Sequence, residues 1–326
     1  MCKTEKTINV LVTGVGAIIG YGVIKSLRAG GVPVHIVGMD IYADAVGQQW
    51  CDEFVQAIYA VDPNYIQFLK KIIAEKQIDI VFFGTEQEIY RVNNAREELG
   101  DDLKKLVLNR KSILELSEDK WLTYQFLLEH EMEDIAIPSV IAGEYAQLVE
   151  RFGSPLLLKP RRSYASKGIC RVADETAFAF EKAKMADGFM AQPLIGDVNH
   201  EYTVAVFGTG DGGYSASISL RRQLSQEGAT AKAAVVHEKE LEAAVERLCK
   251  ALKPIGPTNF QFRMDHGKVF LLEVNPRISS STSIRAAFGY NEAVLSVQYF
   301  LFGELHTPKI RDGKAVRYID EVVSFA

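Results

Sequence analysis

The chain has 326 residues, 48% apolar and 24% charged, with a net charge of −5. That length exceeds one average core, so two or three sub-domains are expected. The charge balance gives no reason to expect a nucleic-acid or anionic-membrane surface, although local basic clusters can still hold anionic ligands.

The four cysteines (Cys2, Cys51, Cys170, Cys249) form no CxxC or metal spacing and read as reduced thiols. The start, MCKTEKTINV, shows no apolar stretch before a cleavage site, and no later run approaches ~18 apolar residues. A soluble cytoplasmic protein is expected. INVLVTG is a short apolar strand, and Gly14, Gly16 and Gly20 open a helix over YGVIKSLRAGG. VPVHIVGMD is a second strand ending on Asp40, and YIQFLKKIIAEKQ places Ile66, Leu69, Ile72 and Ile73 on one helical face. IDIVFFGTE is a third strand, with Thr85, Glu86 and Glu88 at its carboxyl end, and KLVLN is a fourth. Strands alternating with helices predict a parallel sheet covered on both sides, with ligands beyond the strands' carboxyl ends.

The glycine spacing is one residue longer than G-x-G-x-x-G. It fits tight strand-to-helix packing, an anion at the helix N-terminus, or a dinucleotide whose ribose meets Asp40. Glu86 and Glu88 can hold a substrate ammonium group or serve as helix N-terminal acids.

A boundary is expected near residue 117, where Ser117 reads as N-cap of the helix WLTYQFLLEHE and Lys120 as a solvated lysine. PLLLK and ICRV then read as antiparallel strands around RRSYASKG. Small residues let that backbone approach phosphate oxygens, and Lys159 and Lys167 add charge. An exposed basic loop explains the same residues. FMAQPLIG carries Gln192, and HEYTVAVFG puts Glu201 and Thr203 on one face. An apolar slot with one carboxamide suits a purine, and a nearby carboxylate suits ribose hydroxyls. Plain strands also fit. GYSASISLRRQL is another strand with Arg221 and Arg222 at its end, and LEAAVERLCKALK buries Leu241, Ala244, Val245, Leu248 and Leu252.

The stretch GPTNFQFRMDHGKVFLLEVNPRISSSTS (256–283) reads as two strands joined at Asp265-His266-Gly267. Alternation puts Leu271, Glu273 and Asn275 on one face, and Asn259, Gln261 and Arg263 share a face of the partner strand. This all-oxygen cluster suits Mg²⁺, with Arg277 just beyond it; a hairpin whose polar face meets solvent is the plainer reading. A helix pair follows, and Lys314 to Val323 is expected to form a final strand.

Lys120 in EDKW, Lys159 in LLLKP, RRSYASKGI, AQPLIG, HEYTV and NFQF…FLLEVNPRISSS occur in an order that resembles the ATP-grasp superfamily of carboxylate–amine ligases. The similarity is greatest to the ATP-grasp halves of the carbamoyl-phosphate synthetase large subunit and their free-standing relatives. The resemblance implies a doubly wound α/β domain (1–116), a small subdomain with the phosphate loop (117–188) and a C-terminal α+β subdomain with the metal site (189–326). It implies that Lys120, Lys159, Ser163, Ser166, Lys167, Gly168, Gln192, Leu194 and Glu201 hold ATP. Gln261, Glu273 and Asn275 would bind Mg²⁺, with Mn²⁺ as an alternative ion, and Arg277 and Lys159 would be catalytic. Gly16, Thr85, Glu86, Glu88, Ser279 and Arg285 are assigned to substrate.

Two departures stand out. Gln192-Pro193 replaces an acidic linker residue and the donor after it, and Ser280 replaces a second arginine of the synthetase, for which Arg285 is a substitute. The implied activity is ADP-forming ligation of an amino acid or similar small carboxylate to an amine through an acyl phosphate. A synthetase-like use of bicarbonate or carbamate is the alternative, and an NAD-binding or non-catalytic protein a remote one. Small-molecule partners and a homodimer are expected, with neither nucleic acid nor membrane.

Overall fold

In the computed structural model of the chain, residues 7–163, 167–185, 188–226 and 228–323 are described. The first unit contains β1 (Ile8–Thr13), α1 (Ile18–Ala29), β2 (Val34–Asp40), β3 (Glu53–Gln56), α2 (Tyr65–Glu75), β4 (Ile80–Phe82) and α3 (Glu86–Asn94). Its four strands are parallel in the order β3-β2-β1-β4. Alternation within β1 explains the two covered faces. Val10 and Val12 face α1, while Leu11 faces α2 and α3. Asp52 of the segment leading into β3 accepts from the Ile36 amide at 2.6 Å and bonds Arg28. That strand was not foreseen. The expected fourth strand, KLVLN, is reduced to one parallel bridge between Leu106 and Val81.

After the short α4 (Arg96–Leu99) come α5 (Lys111–Glu118) and α6 (Lys120–Glu129). Ser117 lies inside α5. The cap of α6 is Asp119, whose carboxylate accepts from the Trp121 amide at 2.9 Å. The small sheet has the order β6-β5-β7, from β5 (Leu156–Pro160), β6 (Cys170–Val172) and β7 (Phe189–Pro193), and packs against α7 (Tyr145–Phe152) and α8 (Glu175–Ala183). Phe189–Pro193 therefore groups with the middle unit rather than the last one.

The remaining strands are β8 (Glu201–Thr209), β9 (Tyr214–Leu224), β10 (Thr230–Val235), β11 (Ile255–Asp265), β12 (Lys268–Asn275) and β13 (Lys314–Val316). They form an antiparallel sheet in the order β12-β11-β8-β9-β10-β13. Helix α9 (Lys239–Leu252) buries Leu241, Ala244, Val245, Leu248 and Leu252 on one face of this sheet, as its periodicity predicts. α5 and α6 send Ile113 and Leu127 into the same core, so their packing belongs to the large sheet. The final strand is shorter than expected. α10 (Thr282–Ala287) and α11 (Glu292–Phe302) are the predicted helix pair, and Ala293 and Val297 of α11 reach the α1 side of the first unit. The resulting fold is mixed α/β and α+β, with the first unit's strand ends facing the β11–β12 hairpin.

Candidate active site

The hairpin pairs Gln261 with Glu273 and Phe262 with Leu271, leaving Leu272 as an extra residue. This bulge reverses the side-chain phase. Leu271 therefore joins Val269 and Val274 in the core instead of sharing a face with Glu273. The face that carries Glu273 also carries Gln261, Asn259 and Arg263 of β11, and Glu201 and Thr203 of β8.

Glu273, Asn275 and Gln261 lie together at the predicted metal position, with both carboxamide oxygens held by arginines that a bound ion would have to displace. Asn275 Nδ2 donates to Glu273 Oε2 at 3.2 Å, Arg277 donates to Asn275 Oδ1 at 3.0 Å, and Arg222 of β9 donates to Gln261 Oε1 at 2.8 Å. One carboxylate and two carboxamides are hard donors that fit Mg²⁺, yet they are too few and too weakly charged to enclose it alone. An ion here would complete its shell with phosphate oxygens and water. Among the described residues no cluster of three or more His, Cys, Asp or Glu exists. That agrees with a donor set that is mostly carboxamide.

A narrow pocket of about 20 Å³ lies between the small sheet and the hairpin, lined by Lys120, Lys159, Met190, Gln192, Leu272 and Glu273. Lys159 is 5% exposed, and burial together with the nearby Lys120 ammonium pushes its pKa down to about 7, against the pull of Glu273. Burial also lowers Lys120, whose Nζ donates to the carbonyl (2.8 Å) and hydroxyl (3.1 Å) of Ser163. Two ammonium groups lining one pocket, with the Glu273 carboxylate on its wall, suit a polyphosphate. Gln192 donates through Nε2 to Ser139 Oγ at 2.7 Å, while its Oε1 is buried with no partner. An orphaned acceptor beside Met190 fits an exocyclic amino group such as adenine carries.

The remaining nucleotide assignments divide. Ser166 lies outside the described residues. Lys167 and Gly168 are exposed at the loop's end, and Leu194 is 36% exposed on the linker. The Arg161 guanidinium is held by Asp119 at 2.6 Å, which anchors the loop to the start of α6.

The expected ribose contact at Glu201 does not fit. This buried carboxylate gives one oxygen to Arg222 at 2.9 Å and the other to Arg263 at 2.7 Å. Its role here is to hold Arg222 against Gln261.

A second cleft, of about 280 Å³ and open to solvent, meets the first at Glu273. Its walls include Ile18 and Ile19 of α1, Thr85 and Glu86 at the start of α3, Arg222, Arg277, Ser279 and Ser280. Arg277 donates from Nε to Glu86 at 3.0 Å and also through Nη2, so the pair joins the first unit to the hairpin.

Glu88 does not face this cleft. It is buried and accepts from Thr13 (2.6 Å), Thr85 (2.7 Å) and Tyr65 (2.8 Å), and burial raises its pKa despite these donors. Gly16 donates its amide to Asp40 Oδ2 at 2.7 Å, and Asp40 Oδ1 accepts from Tyr42 at 3.0 Å. The acid is thereby committed to the loop, away from any ribose. A Cβ on Gly20 would lie 2.2 Å from Gly14 O, so the third glycine is needed for strand-to-helix packing.

Arg285 is also corrected. It is fully buried and donates to Ser279 Oγ, Thr203 Oγ1, Asn259 Oδ1 and Glu292, and so supports Ser279 from behind without replacing the arginine missing at Ser280. Arg222 is the cleft residue that sequence reasoning did not single out. It stood beside Arg221 at a strand end, and only the pairing of Glu201 with Arg222 fixes which arginine turns inward.

Residues 189–322 match the family model described as "ATP-grasp in the biosynthetic pathway with Ter operon". No curated protein matches the chain by sequence. Among solved structures, N5-carboxyaminoimidazole synthetase from Staphylococcus aureus complexed with ADP is 15% identical, covering 94% of this chain and 81% of its own, with a TM-score of 0.71. An L-amino acid ligase from Bacillus licheniformis is 17% identical, covering 94% and 76%, with a TM-score of 0.66. The 2-oxoglutarate carboxylase biotin carboxylase domain dimer from Hydrogenobacter thermophilus, in complex with MgADP, ADP and bicarbonate, is 13% identical, covering 91% and 70%, with a TM-score of 0.67. These similarities establish the fold.

Proposed function

We propose that this chain, an ATP-grasp protein by its fold and by the family model over its C-terminal part, is a Mg-ATP-dependent, ADP-forming ligase that joins a small carboxylate to an amine. The observation that carries the reading is the shared wall at Glu273, which lines both the pocket and the cleft. A polyphosphate in the first would present its terminal group to a carboxylate in the second. The neighbours include both an L-amino acid ligase and a carboxylase domain solved with bicarbonate, and the reading proposed here is the organic carboxylate.

A carboxylate resists direct attack by an amine because its oxygen is a poor leaving group. In the proposed reaction one carboxylate oxygen attacks the γ-phosphorus, and the bond from that phosphorus to the β–γ bridging oxygen breaks, releasing ADP. The amine nitrogen then attacks the acyl carbon, phosphate leaves with that carboxylate oxygen, and the amine proton passes to solvent. Lys159 and Lys120 would hold the phosphates in the pocket, and Arg277, fixed by Glu86, would face the charge that develops between pocket and cleft. Gln261, Glu273 and Asn275 would hold the Mg²⁺, which supplies charge neutralisation on the phosphates.

The bicarbonate reading is less well supported. Ser280 offers no charge, and Arg285 is buried away from the cleft. The dinucleotide reading loses its ribose-binding acid, because both Asp40 oxygens are engaged. Phosphate release from Mg-ATP against a panel of carboxylates and amines, run beside bicarbonate plus ammonium, tests the proposal. Turnover that needs an organic carboxylate and an amine is expected. Turnover with bicarbonate and ammonium alone would overturn the substrate class.

A further inference from the structure

We propose that Arg317 is a positioning residue that clamps together the two loops forming the far wall of the cleft, so that the wall presents a fixed surface to the carboxylate and amine. The inference rests on the cleft being the substrate site proposed above.

The wall is built from two distant parts of the chain. Gly228 and Ala229 come from the β9–β10 turn, and Ser279 and Ser280 from the loop before α10. Beside them, Thr230 Oγ1 lies 2.8 Å from Ser281 Oγ in a buried contact. Arg317 supplies the second tie. One guanidinium nitrogen donates to Thr230 O at 2.8 Å and the other to Ser280 O at 2.6 Å. Its own amide donates to Ala231 O at 2.8 Å, which continues the pairing of β13 with β10.

The neighbours of Arg317 make this contact specific. Val316, Tyr318 and Ile319 are 69%, 79% and 95% exposed, so from 316 to 319 only Arg317 turns its side chain inward. A planar fork with two divergent donors can bridge two carbonyls on separate loops. A lysine ammonium at the end of a flexible stem holds them less rigidly. Ser280 offers its backbone to Arg317 rather than a charge to the substrate, so the shape of this wall depends on a residue more than thirty positions downstream.

Hydrogen exchange and kinetics on the full chain test the clamp in the parent, Arg317→Lys and Arg317→Met. Losing hydrogen bonds to a charged group should make the wall open about tenfold more often. Peptides spanning 225–231 and 279–285 in the nucleotide-free Met variant should therefore exchange about tenfold faster. The Lys variant should fall between, and both variants should keep the parent's Mg-ADP affinity. With a substrate pair from the panel, the KM for the carboxylate should rise about tenfold in the Met variant while the KM for ATP stays put.

Equal exchange in parent and Met variant would overturn the clamp whatever the substrates are. A KM for ATP that rises with the carboxylate KM would show a general structural effect instead. Faster loop exchange with no carboxylate active in the panel would count against the proposed function and not against the clamp.

Discussion

Replacing Lys159 by methionine keeps most of the buried stem and removes the ammonium, which isolates what the charge costs the empty protein. The folded pKa is about 7 against an ordinary value of 10.5, because burial disfavours the cation and Lys120 repels it. Between those two values the unfolded chain binds more protons than the folded one. Stability of the parent therefore rises with pH across that window, by about 1.4 kcal/mol per pH unit for this group. Below pH 7 the charged ammonium destabilises the fold by about 5 kcal/mol. Lys159→Met should thus be more stable than the parent at pH 6.5, by on the order of a few kcal/mol, and the gap should close by about 2 kcal/mol between roughly pH 7 and 9. Urea denaturation of both proteins across that range, without nucleotide, reads the difference and cancels the other titrating groups. A gap independent of pH, or a variant less stable throughout, would refute the account of Lys159. The same variant should lose Mg-ADP binding.

Three further outcomes follow from individual contacts. If the orphaned Gln192 Oε1 receives the adenine amino group, the parent should prefer ATP over GTP by about tenfold in a binding titration, and Gln192→Met should remove most of that preference. Glu88→Leu strands the buried hydroxyls of Thr13 and Tyr65 and the half-buried one of Thr85, and should cost about 3 kcal/mol in a thermal or urea melt, whereas Glu88→Gln should cost about 1 kcal/mol because its carbonyl still accepts. Arg222→Met leaves Glu201 with Arg263 alone and Gln261 without its donor, and should lower stability by about 3 kcal/mol in the same melts.

Local patterns carried much of the fold. Period-two alternation marked β8, β11 and β12, and the spacing of apolar residues marked α2 and α9, because each lies against a core along its whole length. Strand β3 escaped because its residues are half-exposed at a sheet edge and show no apolar run. The phase of β12 was misread after Leu272, since a bulge is set by pairing with β11 and leaves no mark in the alternation itself.

The same limit governs the site. Motif order singled out Lys120, Lys159, Gln192, Glu273 and Arg277, and the fold brings them to the walls of the pocket and cleft. Glu88, Glu201, Asp40 and Arg285 looked available for ligand because a sequence lists charges without their partners. In the fold each is taken by hydroxyls, arginines, backbone amides or buried acceptors. Arg222 and Arg317 required the reverse knowledge, namely which side of a strand faces the cleft and which loop passes beside it.

The most direct test of the account follows the oxygen. With a carboxylate labelled with ¹⁸O, Mg-ATP and the paired amine, transfer through an acyl phosphate should place one labelled oxygen in each phosphate released, as read by mass spectrometry. Phosphate released without label, in step with product, would contradict activation of the carboxylate at this site.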